Sequence, residues 1–167
     1  MARWGKADFD QLKDLQERLQ KLQQTDLDKF CTDTSKELAA RLLALVIPRT
    51  PLGVYPKETG KNGGTLRRGW TAGKDTSPRA YAKGLSVEKS GSYYIIRVIN
   101  PVRYASYVEF GHRQTPGRFV PAIGKRLKKG WVKGQFFLTL SEEELDSRMP
   151  ALLQKRVDKL LRDIFNG

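Results

Sequence analysis

Tyr104-Ala105-Ser106-Tyr107-Val108-Glu109-Phe110-Gly111-His112 is the stretch on which the reading of this chain turns. It follows Ile95-Ile96-Arg97-Val98-Ile99, whose β-branched residues read as a strand, and Asn100-Pro101 separates the two pieces. Tyr104, Tyr107, Val108 and Phe110 do not alternate strictly, so helix and strand both stay open; Tyr104, Tyr107 and Val108 would share one face of a short helix. The pattern predicts a helical turn that leads into the end of a strand. Gly111 then closes the apolar run.

Beyond it lies His112-Arg113-Gln114-Thr115-Pro116-Gly117-Arg118, where Pro-Gly marks a turn. From there to Gln135, Lys and Arg alternate with Phe119, Val120, Ile123, Leu127 and Trp131. Many charges and few apolar anchors predict a flexible basic arm over 113–135, a long loop ordered only on contact. Trp131 could stack on a base or plug a protein pocket, the pocket being commoner. Between Arg97 and Lys133 there are nine Lys or Arg and one carboxylate, Glu109, in a chain of net charge +13. So local an excess points to a working surface for a polyanion or an acidic partner.

Phe136-Phe137-Leu138 resumes the fold, and Ser141 with Glu144 has the spacing of a capping box. Leu145, Met149, Leu152, Leu153, Val157, Leu160, Leu161, Ile164 and Phe165 then form a helical stripe, which Pro150 should bend or restart near Ser147.

On the N-terminal side, Leu85–Glu88 and Tyr93–Ile99 read as a hairpin turned at Lys89-Ser90-Gly91-Ser92. Residues 48–89, rich in Pro and Gly, read mostly as loop, with a short strand over Leu66–Thr71. Lys61-Asn62-Gly63-Gly64-Thr65 lacks the Gly-Lys-Ser/Thr ending of a phosphate loop. Leu27, Phe30, Thr34, Leu38, Leu42 and Leu45 mark one face of a helix capped by Thr25 or Asp26 and ended by Pro48, with Ala39, Ala40 and Ala44 allowing close packing beside it. Phe9, Leu12, Leu15, Leu19 and Leu22 predict a further amphipathic helix, an N-terminal extension over 1–24.

A chain of 167 residues suits one domain, 1–167, of α+β class: N-terminal helices and a long C-terminal helix packed on a small antiparallel sheet, with a long basic loop. No apolar run is long enough for a bilayer, and no signal-type segment opens the chain, so no membrane is expected. Cys31, the only cysteine, cannot form an internal disulfide and reads as a small core residue. One Cys and one His cannot make a zinc site. Glu109 and His112 could pair as acid and base, but nothing supplies a nucleophile, a metal or a cofactor loop; no catalytic residue, cofactor or metal is predicted.

These parts, in this order, resemble a family of tailed-bacteriophage neck or tail components typified by the gene-ten product of the HK-type lambdoid phages. The matching residues are Pro51, Thr59, Gly60, Leu66, Arg67, Asn100, Tyr104, Ala105, Tyr107, Val108, Glu109, Phe110 and Gly111, within a likeness spanning roughly Leu38 to Phe165. The resemblance implies a non-enzymatic virion protein, made in the host cytoplasm. It would form a sixfold or twelvefold ring of its own copies around the DNA channel at the head–tail junction, beside other neck, connector or tail proteins. Under that reading Tyr104, Tyr107, Glu109, Phe110, Arg113, Arg118 and Trp131 are the candidate subunit interface, with Glu109 bridging copies through Arg103 and Arg113. Lys125, Arg126, Lys128, Lys129 and Lys133 are the candidate channel or partner arm. The competing reading is a soluble, non-specific nucleic-acid-binding protein using segment 97–133.

Overall fold

The computed structural model describes residues 16, 17, 20, 27–55, 57–60, 62–121 and 124–165. The expected extension over 1–24 and the Thr25 or Asp26 cap fall almost wholly outside them. The architecture is α+β. Helix α1 (Leu27–Arg49) is followed by a 3-10 turn at Lys57–Thr59 and two short helices, α2 (Thr65–Gly69) and α3 (Pro78–Lys83). Strands β1 (Val87–Ser90) and β2 (Tyr93–Ile96) lead to α4 (Ala105–Phe110) and β3 (Gly111–Arg113). Then come β4 (Phe119–Val120), β5 (Lys125–Arg126), β6 (Trp131–Lys133) and the long α5 (Phe137–Phe165). The strands form three separate antiparallel pairs, β1–β2, β3–β6 and β4–β5, rather than one sheet.

The core lies where α1, α2, α3 and the start of α5 meet. Ala39, Leu43 and Val46 recur at helical spacing and bury one stripe of α1 against Leu66, Trp70, Ala82 and Phe137. Each large side chain so enclosed contributes roughly 1.5–3 kcal/mol. The stripe is rotated from the expected one: Leu38, Leu42 and Leu45 are half-buried, Leu27 is exposed, and Thr34 alone of that set is buried. The small Ala39 lies on the buried face with Leu43 and Val46, and Leu38, Leu42 and Leu45 flank it. The Trp70 ring meets Phe137 edge-on, centroids 6.2 Å apart, and its Nε1–H donates to Thr50 Oγ1 at 2.8 Å. Cys31 is half-buried and free.

The two prolines act differently: α1 ends one residue past Pro48, close to the expected stop, whereas Pro150 brings no restart. Pro48 sits in the last turn of α1, which runs on to Arg49, and Thr50 N–H still donates to the Val46 carbonyl at 2.9 Å. Pro150 lies inside α5, which continues on both sides without a restart at Ser147. Pro150 is on the exposed side of the helix, and packing of Leu145 before it and of Leu152 and Leu153 after it offsets the lost hydrogen bond.

Leu66–Thr71 is helical, not a strand. Leu66 and Trp70, four residues apart, both point into the core, a spacing that a helix satisfies and a strand does not. Helix α3 lies in the stretch expected as loop: the Ser77 hydroxyl accepts from Ala80 N–H at 3.2 Å, and Pro78 takes the first turn. The hairpin forms where expected but with other bounds: the first strand starts at Val87, the second stops at Ile96 so that Arg97–Ile99 lie outside it, and the turn tightens to Gly91-Ser92, where Gly91 has φ +58°. The helical turn into a strand, α4 into β3, also matches the reading of Tyr104–Gly111.

Candidate functional site

Glu109 governs how the quoted stretch sits in the fold. It is 3 % exposed, and its carboxylate caps α5. Oε2 accepts from Leu138 N–H at 3.0 Å, and Oε1 accepts from Thr139 N–H at 2.9 Å and from the Thr139 hydroxyl at 2.8 Å. A carboxylate on the free N–H groups of a helix start satisfies orphan donors and complements the dipole. The expected inter-subunit bridge from Glu109 to Arg103 and Arg113 is thereby corrected: both oxygens are spent inside the chain. The same geometry replaces the expected capping box. Helix α5 begins four residues before Ser141, whose hydroxyl instead donates to the Phe137 carbonyl at 2.6 Å. Glu144 pairs with Arg49 and Arg148, and the Arg49 hydrogen bond holds its carboxyl below the usual carboxylate range.

Arg67 performs the matching task at the other helix end. Its guanidinium donates to the Thr50 carbonyl at 3.0 and 2.7 Å and to the Pro48 carbonyl at 3.1 Å, closing the C-terminus of α1. Asn100 donates from Nδ2 to the Leu66 carbonyl at 2.8 Å and accepts from Val102 N–H at 3.2 Å. Gly69 lies so close that a Cβ there would collide with Asn100 Oδ1. Gly111, at φ +83°, lies against the Val132 carbonyl with no room for a side chain. Leu66, Arg67, Asn100, Glu109 and Gly111 thus lock two helix ends and the start of β3 together. Periodicity could not show these ties, because they join remote parts of the chain through single side chains, Arg67, Asn100 and Glu109, or through the close backbone approach at Gly111.

The aromatic members of the stretch face outward. Tyr104 is 42 %, Tyr107 57 % and Phe110 60 % exposed. Tyr104 and Val108 line a cleft of about 260 Å³ with Pro51, Leu52, Tyr55 and Leu66. The contributions of Leu52 and Tyr55 had no signal in the sequence beyond being apolar in a loop. Tyr107 meets the His112 ring edge-on, centroids 5.8 Å apart. His112 Nδ1 lies 3.4 Å from the Tyr107 carbonyl, and Nε2 lies 3.2 Å from Gln114 Nε2. A neutral ring protonated on Nδ1 satisfies both contacts, since the Gln114 amide then donates to a free Nε2. The suggested acid–base pair of Glu109 and His112 does not form, the two side chains being bonded to different partners.

The basic segment carries more order than a loop. β3 and β6 pair Gly111 with Lys133, His112 with Val132 and Arg113 with Trp131. Gln114 N–H continues the ladder to the Gly130 carbonyl at 2.9 Å. Gly117 N–H donates to the Leu127 carbonyl at 2.8 Å, and Leu127 N–H returns to the Arg118 carbonyl at 2.9 Å. β4 and β5 then pair Phe119 with Arg126 and Val120 with Lys125. The result is one antiparallel ribbon from Gly111 to Val120 and back, about 30 Å long at roughly 3.3 Å per residue. The outward strand holds one residue more than its partner at Thr115-Pro116-Gly117, with Gly117 at φ +84°. Pro-Gly therefore makes a bulge rather than a chain reversal, which is where a strand admits proline.

Arg113, Arg118, Lys125, Arg126, Lys128, Lys129 and Lys133 all lie exposed along this ribbon, and residues 113–133 include no carboxylate. Among the described residues none of the seven takes part in an ion pair; Arg126 donates to the Gly117 carbonyl at 2.7 Å. Phe119 and Trp131 are 50 % and 54 % exposed, each directly across the ladder from an arginine. Of the predicted site residues, the fold thus brings Arg113, Arg118, Trp131 and the lysine set onto one projecting element. Tyr104, Tyr107 and Phe110 stay near its root, and Glu109 is withdrawn into the interior. Among the described residues no three His, Cys, Asp or Glu gather as a metal site, and no helix is long and apolar enough to cross a membrane.

Residues 13–111 match the family model HK97-gp10_like, described as "Bacteriophage HK97-gp10, putative tail-component". The match takes in Arg67, Asn100 and Glu109 and stops at Gly111, so the ribbon beyond it and α5, with the Leu138 and Thr139 partners of Glu109, lie outside the matched residues, unlike the Leu38–Phe165 span expected. Neither the curated proteins nor the solved structures yield a match to this chain.

Proposed function

Because this chain belongs to the HK97-gp10-like family of bacteriophage tail components, we propose that it is a non-enzymatic structural protein of the virion that builds a ring of its own copies at the head–tail junction. The family match carries this reading. Two features of the surface support it. A closed ring places one face of a subunit against a different face of the next, and so needs two unlike surfaces on each copy. The aromatic edge of Tyr104, Tyr107 and Phe110 is one, with the 260 Å³ cleft beside it; the root of the ribbon, where Arg113 pairs with Trp131, is the other, and the outer ribbon stays clear of the neighbour. Half-exposed aromatics of this kind are the groups that anchor interfaces, while charges at the rim guide encounter and register. Neighbouring neck or tail proteins are the further partners, and sixfold or twelvefold closure is the expected symmetry.

The competing reading, a soluble clamp for nucleic acid, draws on the charge of segment 97–133 alone and requires neither the aromatic edge nor the family match. Native mass and particle morphology separate the two. A purified chain that assembles into closed rings, and a phage lacking the gene that accumulates heads and tails without joining or completing them, is the expected outcome. A chain that stays monomeric, together with normal particles from the deleted phage, would overturn the structural role.

A further inference from the structure

We infer that the ribbon Gly111–Lys133 is a binding element for duplex DNA that grips phosphates across a groove. This goes beyond the ring: it concerns what one element of each subunit touches, and it is measurable whether or not copies close into a circle.

Three observations carry it. The first is shape. A two-stranded antiparallel ribbon about 30 Å long projects from the fold, and a ribbon of two strands is an element that the roughly 12 Å major groove admits. The second is charge. Seven Lys and Arg line the ribbon without a single carboxylate between residues 113 and 133, and among the described residues none is neutralised by an ion pair. Elsewhere cations and carboxylates are interspersed and several pair, Arg49 with Glu144, Arg156 with Glu37, Lys89 with Asp28, Arg97 with Glu88. The ribbon differs in gathering its cations on one element with no carboxylate among them. The third is the aromatic pattern. Phe119 and Trp131 each stand opposite an arginine in the ladder and are half-exposed, so an apolar face of the kind that meets thymine methyls in the major groove accompanies the phosphate-seeking groups. The contacts inferred are to phosphates, which fix position and orientation and carry no base sequence directly.

The test uses the full chain and a fluorescent 30-base-pair duplex of mixed sequence, with binding followed by anisotropy from 50 to 200 mM NaCl. Four phosphate contacts lower affinity by about a hundredfold over that range, because the logarithm of the binding constant falls by about 0.9 per contact for each decade of salt. The variant Lys125→Gln, Arg126→Gln, Lys128→Gln, Lys129→Gln is expected to flatten the salt slope by about three and to lose tenfold or more in affinity at 100 mM. A control with equal charge removed from the far end of the molecule (Lys29→Gln, Lys155→Gln, Lys159→Gln, Arg162→Gln) is expected to keep most of the slope. Trp131 emission, read against Trp131→Phe, is expected to shift on DNA addition. Equal weakening by both quadruple variants would show that net charge alone attracts the DNA, and the ribbon assignment fails. It also fails if the parent chain does not bind at 50 mM NaCl. If in that case the ribbon variant still abolishes ring assembly, the ribbon's partner is protein, and the structural role stands without this inference.

Discussion

Glu109 and Arg113 are four residues apart. The first is 3 % exposed, with both carboxylate oxygens bonded to the start of α5, while the second stands in solvent across the ladder from Trp131. The contrast extends to the regions they represent. Within residues 100–111, Asn100 and Glu109 spend their polar groups inside the fold, on the Leu66 carbonyl and on the N-terminus of α5. Residues 113–133 spend almost none of theirs. A distinctive sequence stretch can thus serve two ends: Asn100 and Glu109 are bolts inside the fold while Tyr104, Tyr107 and Phe110 stand exposed, and the unpaired cations lie in the less distinctive segment that follows.

Substitutions can break or sharpen this contrast. The largest effect is expected at the core on which the bolts close: Trp70→Ala removes the ring packed on Phe137 and the hydrogen bond to Thr50, and should cost about 3–5 kcal/mol in denaturant unfolding. Glu109→Ala comes next, at about 2–4 kcal/mol, because it strands two helix N–H groups and the Thr139 hydroxyl in a closed site. Glu109→Gln should recover part of that loss, since an amide oxygen still accepts. A result near zero for Glu109→Ala would mean that the carboxylate is not the cap, and would reopen its use between copies. Arg67→Met should cost about 1–2 kcal/mol, the carbonyls of Pro48 and Thr50 having partial access to water in its place.

Smaller effects belong to exposed groups. The four-site ribbon variant should leave unfolding free energy within about 0.5 kcal/mol of the parent. The Arg49–Glu144 pair makes the weakest contribution and a pH-dependent one. Because hydrogen bonding to Arg49 lowers the folded Glu144 carboxyl, its stabilisation is present above the ordinary glutamate range and is lost as pH falls through the lowered value. The stability gap between parent and Glu144→Gln, read from thermal melts, should be visible at neutral pH and close in acid. A gap that widens in acid would reverse the sign of that linkage.

What was legible in the sequence follows the same division. Periodic and local signals came through: the hairpin around Gly91, the helical turn at Ala105–Phe110, the length of α5 and the α+β class. Signals that depend on a remote partner did not. Ser141 and Glu144 have capping-box spacing, but a carboxylate thirty residues upstream takes the helix start first. Pro150 reads as a breaker in isolation, yet neighbouring burial carries α5 through it. Leu66–Thr71 was ambiguous because a short apolar piece has no period to read. Helix α3 was legible in retrospect, since Ser77-Pro78 is a start signal that a stretch of glycines and prolines concealed. The ribbon was missed because its strands are two and three residues long and polar, and hydrogen bonding rather than hydrophobic alternation defines them.

Gln114 and Gly130 face each other across the ladder, so the outer ribbon can be cut away cleanly by replacing Thr115–Lys129 with an Asn-Gly turn. Supplied to a phage that lacks the gene, this shortened chain is the most direct test that the bolts hold the fold while the ribbon does the work. The expected result is an unfolding midpoint close to the parent and a collapse of infectious particles, with heads and tails left unjoined or incomplete. Particles at normal yield, or a shortened chain that no longer folds, would contradict it.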